Sequence, residues 1–140
     1  MLKKILSISG KPGLFELISQ GKNMLIVESL IDHKKLPAYT NEKILSLGDI
    51  AMYTQEGEVP LAEVFVAMKK KEEGKKVPFD AKKVDSKTLS DYLAAVLPTY
   101  DRERVYSSDI KKLITWYNIL IESEHSDFES DIRKENEKEE

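Results

Sequence analysis

Cysteine is absent from this 140-residue chain, which excludes disulfides, cysteine-ligated zinc, iron–sulfur clusters and thiol nucleophiles. Histidine occurs twice, at positions 33 and 125, and arginine three times, at 102, 104 and 133. No apolar run approaches the roughly 18 residues of a membrane helix. The start Met1-Leu2-Lys3-Lys4-Ile5-Leu6 meets Ser7, Ser9 and Gly10 too soon for a signal-peptide core. The expectation is a cytoplasmic protein with no membrane partner. What is present is 41% hydrophobic and 34% charged residues, the balance of a globular chain that can bury a core without covalent staples.

The net charge of −3 is a property of the end of the chain. Residues 1–124 carry 19 positive and 18 negative charges, whereas residues 125–140 carry 3 and 7. The body is therefore nearly neutral and argues neither for nor against a polyanionic partner. One stretch departs from this: between Lys69 and Lys87 eight lysines face four acidic residues. Cations suit a helix C-terminus, so a solvated helix end is the preferred account of this excess and an anion-binding surface the alternative.

Along the chain, the first fifty residues read as short strands. Leu2 to Ser9, Leu14 to Ser19 and Met24 to Leu30 are apolar runs, separated by the turn signals Gly10-Lys11-Pro12-Gly13 and Gln20-Gly21-Lys22-Asn23. That pattern predicts a three-stranded antiparallel meander. A fourth strand over Leu36 to Thr40 has to lie at an edge, because Pro37 cannot donate to a ladder. Ser46-Leu47-Gly48-Asp49 reads as one helical turn and Ala51 to Thr54 as a short strand. Pro60 at a first helical position, Glu63 in the first turn and apolar spacing at Leu61, Val64, Phe65 and Met68 predict a helix from Pro60 to Glu73.

Residues 74–85 mix lysine and aspartate with Val77 and Phe79, and read as a linker. Beyond them the period is helical. Ser86 is placed to cap a helix over Lys87 to Leu97, and Ser107 or Ser108 one over Asp109 to about Ser123. From His125 only Phe128 and Ile132 are large and apolar, which predicts an acidic tail that is either a frayed helix or disordered. The fold class expected is α+β: a small N-terminal antiparallel SH3-like barrel with one helix (1–73), a lysine-rich linker (74–85), a helical hairpin or small bundle (86–124) and the tail (125–140).

Chemistry is mostly absent. Imidazole-based catalysis has only His33, in the polar turn Ile31-Asp32-His33-Lys34-Lys35, and His125, opening the tail. Metal binding would need both of these, or one with converging carboxylates such as Glu122, Glu124 and Asp127, which lack the spacing of ligand motifs. Gly10-Lys11-Pro12-Gly13 does not open a helix and is a hairpin turn rather than a phosphate cradle. No catalytic residue, metal or cofactor is assigned, and the expectation is a protein that is not an enzyme.

Two binding patterns remain. Tyr100, Arg102, Arg104 and Tyr106, with Trp116 in the helix that follows, combine aromatics with arginine, the composition of interface hot spots; the competing account is that the aromatics close the helical core. The other pattern is basic. Lys69, Lys70, Lys71, Lys75 and Lys76, or Lys3, Lys4, Lys11, Lys22, Lys34 and Lys35 with Phe15, Tyr39 and Tyr53, are candidates for nucleic acid, against which the scarcity of arginine counts.

Leu2-Lys3-Lys4-Ile5-Leu6-Ser7-Ile8-Ser9-Gly10-Lys11-Pro12-Gly13-Leu14, Asp49-Ile50-Ala51-Met52-Tyr53-Thr54 with Gly57-Glu58-Val59-Pro60-Leu61, and Arg104-Val105-Tyr106-Ser107-Ser108-Asp109-Ile110-Lys111-Lys112 with Trp116-Tyr117-Asn118 resemble an uncharacterised Bacteroidetes-type bacterial family carried as a domain of unknown function. The resemblance implies a small β-rich N-terminal domain, a helical C-terminal domain and an intracellular bacterial protein. It supplies no activity and no site residues. The expected function is therefore a non-enzymatic cytoplasmic interaction module with an unknown protein partner, the alternative being a nucleic-acid or ribosome-associated protein.

Overall fold

The computed structural model describes residues 2–39 and 42–130. A 3-10 turn (Leu2–Lys4) leads into strands β1 (Ile5–Ile8), β2 (Phe15–Gly21), β3 (Met24–Ser29), β4 (Lys35–Tyr39) and β5 (Ile44–Ser46). A second 3-10 turn (Leu47–Asp49) precedes the hairpin β6 (Ala51–Thr54) and β7 (Gly57–Pro60), followed by helices α1 (Leu61–Lys71), α2 (Ser86–Val96) and α3 (Ser107–Glu122). The molecule is α+β with antiparallel sheets.

The meander forms where the turn signals place it. Gly10, Gly13 and Asn23 all adopt positive φ, which glycine and asparagine accept. Pro37 pairs opposite Ile26, and the Ser29 amide donates to the Lys34 carbonyl. The alternation of an antiparallel ladder then turns Pro37's ring nitrogen to the free edge, where a missing donor costs nothing. Thr40, the last residue of the expected fourth strand, lies outside the described residues.

The closed SH3-like barrel is not what forms. The first sheet has the order β4-β3-β2-β1-β5, and β4 and β5 remain unpaired edges. Pro37 interrupts the donors of one edge, and the other strand has only three residues, so no continuous ladder can join them. The strand over Ala51 to Thr54 is present but belongs to a separate two-stranded sheet with β7. Pro60 ends β7 opposite Ala51 and is the N-cap of α1, not its first residue. Asp85, not Ser86, caps α2, its carboxylate accepting from the Thr88 amide at 2.9 Å and hydroxyl at 2.7 Å. Those two bonds hold the Asp85 carboxyl below its ordinary range. Tyr106, not a serine, is the N-cap of α3, and its amide donates to Asp109 Oδ2 at 3.0 Å.

Two apolar clusters result. One face of the open sheet collects Leu6, Ile8, Phe15, Val27 and Ala38. The larger core runs from Leu2, Ile5, Leu14 and Leu47 through Phe65 and Met68 to Leu93, Ile114 and Tyr117, so sheet and helices share it. Two expectations fail here for one reason. Residues 74–85 are not a free linker: Val77 and Ala81 are buried, Phe79 meets Tyr92 edge-on at 5.5 Å, and the Val77 amide donates to Asn118 Oδ1 at 2.9 Å. The expected tail is likewise packed at its start, with Phe128 fully buried. Sparse apolar residues among charges look like linker until helices supply a surface on which each can be buried. Residues 131–140 of that tail lie outside the described residues.

The return of the chain to the core is set by how α3 ends. The His125 amide donates to the Leu120 carbonyl at 2.9 Å and the Glu124 amide to Ile121 at 3.2 Å, with Glu124 at φ 64. This is a Schellman turn with a non-glycine residue in the left-handed position. The same pattern closes α1, where Gly74 and Glu73 bond back to Lys69 and Lys70.

Burial of two tyrosines has a consequence for alkaline stability. Tyr92 donates to Glu72 Oε2 at 2.6 Å and Tyr117 to the Lys75 carbonyl at 2.7 Å. Burial, then the Glu72 contact, raises the Tyr92 phenol well above its ordinary value, and burial with the Glu72 charge pushes Tyr117 up to about 12. The folded state thus keeps protons that the unfolded state releases from pH 10 upward, so stability is full below that pH and falls as pH rises beyond it. Urea unfolding measured between pH 9 and pH 12 is expected to show this fall, with a shallower slope in Tyr92→Phe; an unchanged slope would count against the linkage.

Candidate functional site

The segment after α2 is stitched to the hairpin rather than hanging free. The Gln55 amide donates to the Thr99 carbonyl, the Asp101 amide donates to the Tyr53 carbonyl, both at 2.9 Å, and Thr54 bridges Tyr100. This fixes the residues that follow. Arg104 places its guanidinium 4.5 Å from the Tyr53 ring centroid, and its Nε donates to Asp101 Oδ2 at 2.8 Å. The ion pair lowers the Asp101 carboxyl and raises the Arg104 guanidinium from their ordinary values. Arg104 is exposed and Asp101 partly so, and the pair serves orientation more than stability.

Arg104 stands at the mouth of a cleft of about 270 Å³. Its walls come from Leu45 of β5, Met52 and Tyr53 of β6, and Leu113 and Trp116 of α3, with Lys112 on the rim. The walls are apolar, and Leu45 and Tyr53 remain 58% and 40% exposed. The cleft thus lies where the first sheet, the hairpin and the last helix meet.

The five aromatic and arginine candidates divide. Arg104 and Trp116 line the cleft. Tyr100 is buried in the main core, with Arg102 stacked 5.0 Å from its ring centroid outside. Tyr106 projects into solvent, 65% exposed. The cleft walls Leu45, Met52 and Leu113 carry no signal in the sequence, because they come from three separate elements.

The lysine candidates are scattered. Lys69 pairs with Glu129 and donates to the Ser126 carbonyl, Lys71 lies 5.7 Å from the Tyr92 ring centroid, and Lys76 pairs with Glu122. Of the aromatics proposed for nucleic acid, Phe15 is buried in the sheet cluster, while Tyr39 and Tyr53 stand on different sheets. His33 occupies a surface turn at φ 61. His125 Nε2 lies 2.6 Å from Glu16 Oε2, tying the end of α3 to β2. Among the described residues no group of three or more His, Asp or Glu side chains is arranged to hold a metal ion. No helix among them is long and apolar enough to cross a membrane.

Comparison with known proteins matches the chain in two consecutive pieces. Residues 2–47 match the model described as Domain of unknown function (DUF5606), and residues 50–120 match Domain of unknown function (DUF6852). The two matches meet at the second 3-10 turn, and the second takes in β6, β7 and α1 together with α2 and most of α3. No curated protein matches. A solution NMR structure of a Bacteroides vulgatus protein, a target of the Northeast Structural Genomics Consortium, is 57% identical with a TM-score of 0.77, covering 91% of each chain. With half the chain under one family model and this degree of identity, the protein belongs to the uncharacterised Bacteroidetes-type family in which a DUF5606 unit is followed by a DUF6852 unit.

Proposed function

We propose that this protein is a non-enzymatic cytoplasmic interaction module that docks a protein partner in the cleft between β5, the β6–β7 hairpin and α3. The observation that carries the reading is Arg104 stacked on Tyr53 at the mouth of an apolar cleft walled by Trp116. Arginine and large aromatics around a desolvated pocket are the composition of binding hot spots. The first sheet, in this reading, is an opened relative of SH3-like barrels: a four-stranded meander whose fifth strand returns to pair with the first. Nucleic-acid binding through Lys69, Lys70, Lys71, Lys75 and Lys76 has less support, since three of these five side chains are engaged within the molecule.

The test is affinity capture from native bacterial lysate with the full chain, with and without nuclease and at low and high salt, beside Trp116→Ala and Leu45→Glu. A protein retained through both treatments by the wild type, and reduced about tenfold or more in both variants, is the expected result. Partners that disappear with nuclease or salt would favour nucleic acid, because phosphate contacts are salt-dependent. Equal recovery by the variants would remove the cleft from consideration.

A further inference from the structure

We infer that the occupant of this cleft is an extended, acidic peptide segment that adds as a strand to the open edge of β5; the inference rests on the docking reading above. The first sheet has two edges, and they are treated differently. On β4, Pro37 has no donor and the outward Tyr39 amide is taken by Glu42 Oε2 at 2.9 Å, so that edge is blunted. The β5 edge carries no such device.

The register shows what it offers. β5 pairs with β1 as Ser7 with Leu45 and Ile8 with Ile44, and the Ser9 amide donates to the Lys43 carbonyl. Hydrogen-bonded pairs alternate in an antiparallel ladder, so the main-chain groups of Leu45 face β1 and those of Ile44 and Ser46 face away. As N-cap of the second 3-10 turn, Ser46 gives its carbonyl to that turn's first bond, while the Ile44 amide and carbonyl and the Ser46 amide have no partner among the described residues. The Leu45 side chain lines the cleft, so the edge and the cleft are continuous. A free strand edge beside side-chain pockets is the arrangement used to bind extended peptides. The volume of about 270 Å³ has room for inserted side chains.

Charge selects the sign of the peptide. Asp109 lines the cleft and accepts from the Tyr106 amide, Asp101 is held by Arg104 and the Glu103 amide, and Glu58 also lies within electrostatic reach of Arg104. Lys112 on the rim and Lys43, immediately before β5 and two residues from Leu45, are exposed and have no ion-pair partner among the described residues. Arg104 is already paired with Asp101, so the two lysines supply the uncompensated charge. A carboxylate beside the inserted apolar side chain meets this rim.

The probe is a library of random nine-residue peptides displayed on phage, selected against the full chain, with the enriched peptide then measured by fluorescence anisotropy. Ser46 sits at φ −83 and ψ 130, which proline accepts, and its amide faces away from β1. Ser46→Pro therefore removes an outward donor and leaves the ladder intact, while Ser46→Ala controls for the hydroxyl bond to the Lys3 carbonyl. The enriched peptides are expected to pair Asp or Glu with a large apolar residue. Binding should survive in Ser46→Ala, weaken about tenfold or more in Ser46→Pro, and weaken in Lys112→Glu. N-methylation of alternate peptide amides should abolish it, a readout that needs no variant to fold. If Trp116→Ala abolishes binding while Ser46→Pro and N-methylation have no effect, the docking site stands and strand addition is overturned. Failure to enrich any peptide, or concentration-dependent dimerisation of the free chain that Ser46→Pro removes, also overturns this inference. Lysate capture then decides the docking reading separately.

Discussion

Phe128→Ala is expected to destabilise the protein by about 3–5 kcal/mol. The side chain is fully buried, with its ring centroid 5.0 Å from that of Phe65 and 6.3 Å from that of Tyr117, while Phe65 and Tyr117 are themselves 6.3 Å apart. Removing the ring deletes two tilted aromatic contacts and leaves a cavity between α1 and α3 that two rigid neighbours cannot collapse to fill. For a chain of this size the loss corresponds to a fall in melting temperature of about 10–20 °C. Truncation after Glu124 should cost at least as much, because it also removes His125 from Glu16 and the Ser126 carbonyl from Lys69. Thermal melts followed by circular dichroism decide the matter: a change under about 2 °C in either variant would mean that this segment contributes nothing to the core.

Gly48→Ala is the second large effect, of about 1–3 kcal/mol, and it arises from space rather than conformation. A Cβ at this position would lie 2.5 Å from Lys3 Cγ, 2.8 Å from Lys3 N and 2.9 Å from Lys3 Cα. The side-chain carbon can move aside, but the backbone atoms belong to the first 3-10 turn, which is held by buried Leu2 on one side and β1 on the other. The two 3-10 turns must therefore separate, and with them the Leu2 and Leu47 side chains that join sheet to helices. Gly10→Ala is the control. Gly10 has φ +83 and open space around it, so alanine there meets only the strain of a left-handed residue, about 1 kcal/mol. Urea denaturation of both variants should place Gly48→Ala clearly below Gly10→Ala, and the reverse order would refute the close approach of the two turns.

Both positions depend on contacts between parts of the chain that lie far apart in sequence. Periodicity in Leu61, Val64, Phe65 and Met68, and again in Ile110, Leu113, Ile114 and Tyr117, located the helices, because a helix repeats its buried face every three or four residues. Turn chemistry located the meander, and the missing donor of Pro37 placed β4 at an edge. β5 was invisible because three residues are too few to show an alternation. Val77, Ala81 and Phe128 are isolated apolar residues within polar segments and show no period, although all three are buried. In the candidate site, Arg104 and Trp116 were legible by composition. Tyr100 and Tyr106 had the same composition and went to the core and to solvent, a difference decided by the pairing of Thr54 with Tyr100 and by the start of α3.

By itself the sequence determined what is local or compositional: the absence of thiol chemistry, the turns of the meander, the three helices and the placement of the excess acid at one end of the chain. Only the tertiary structure decided that the sheet stays open, that residues 74–85 and Phe128 belong to the core, and that Leu45, Tyr53 and Trp116 meet in one cleft. The physical reason is range. Dihedral preference and hydrophobic period act over a few neighbouring residues, whereas burial of a lone side chain and the walls of a cleft depend on surfaces contributed by elements tens of residues apart.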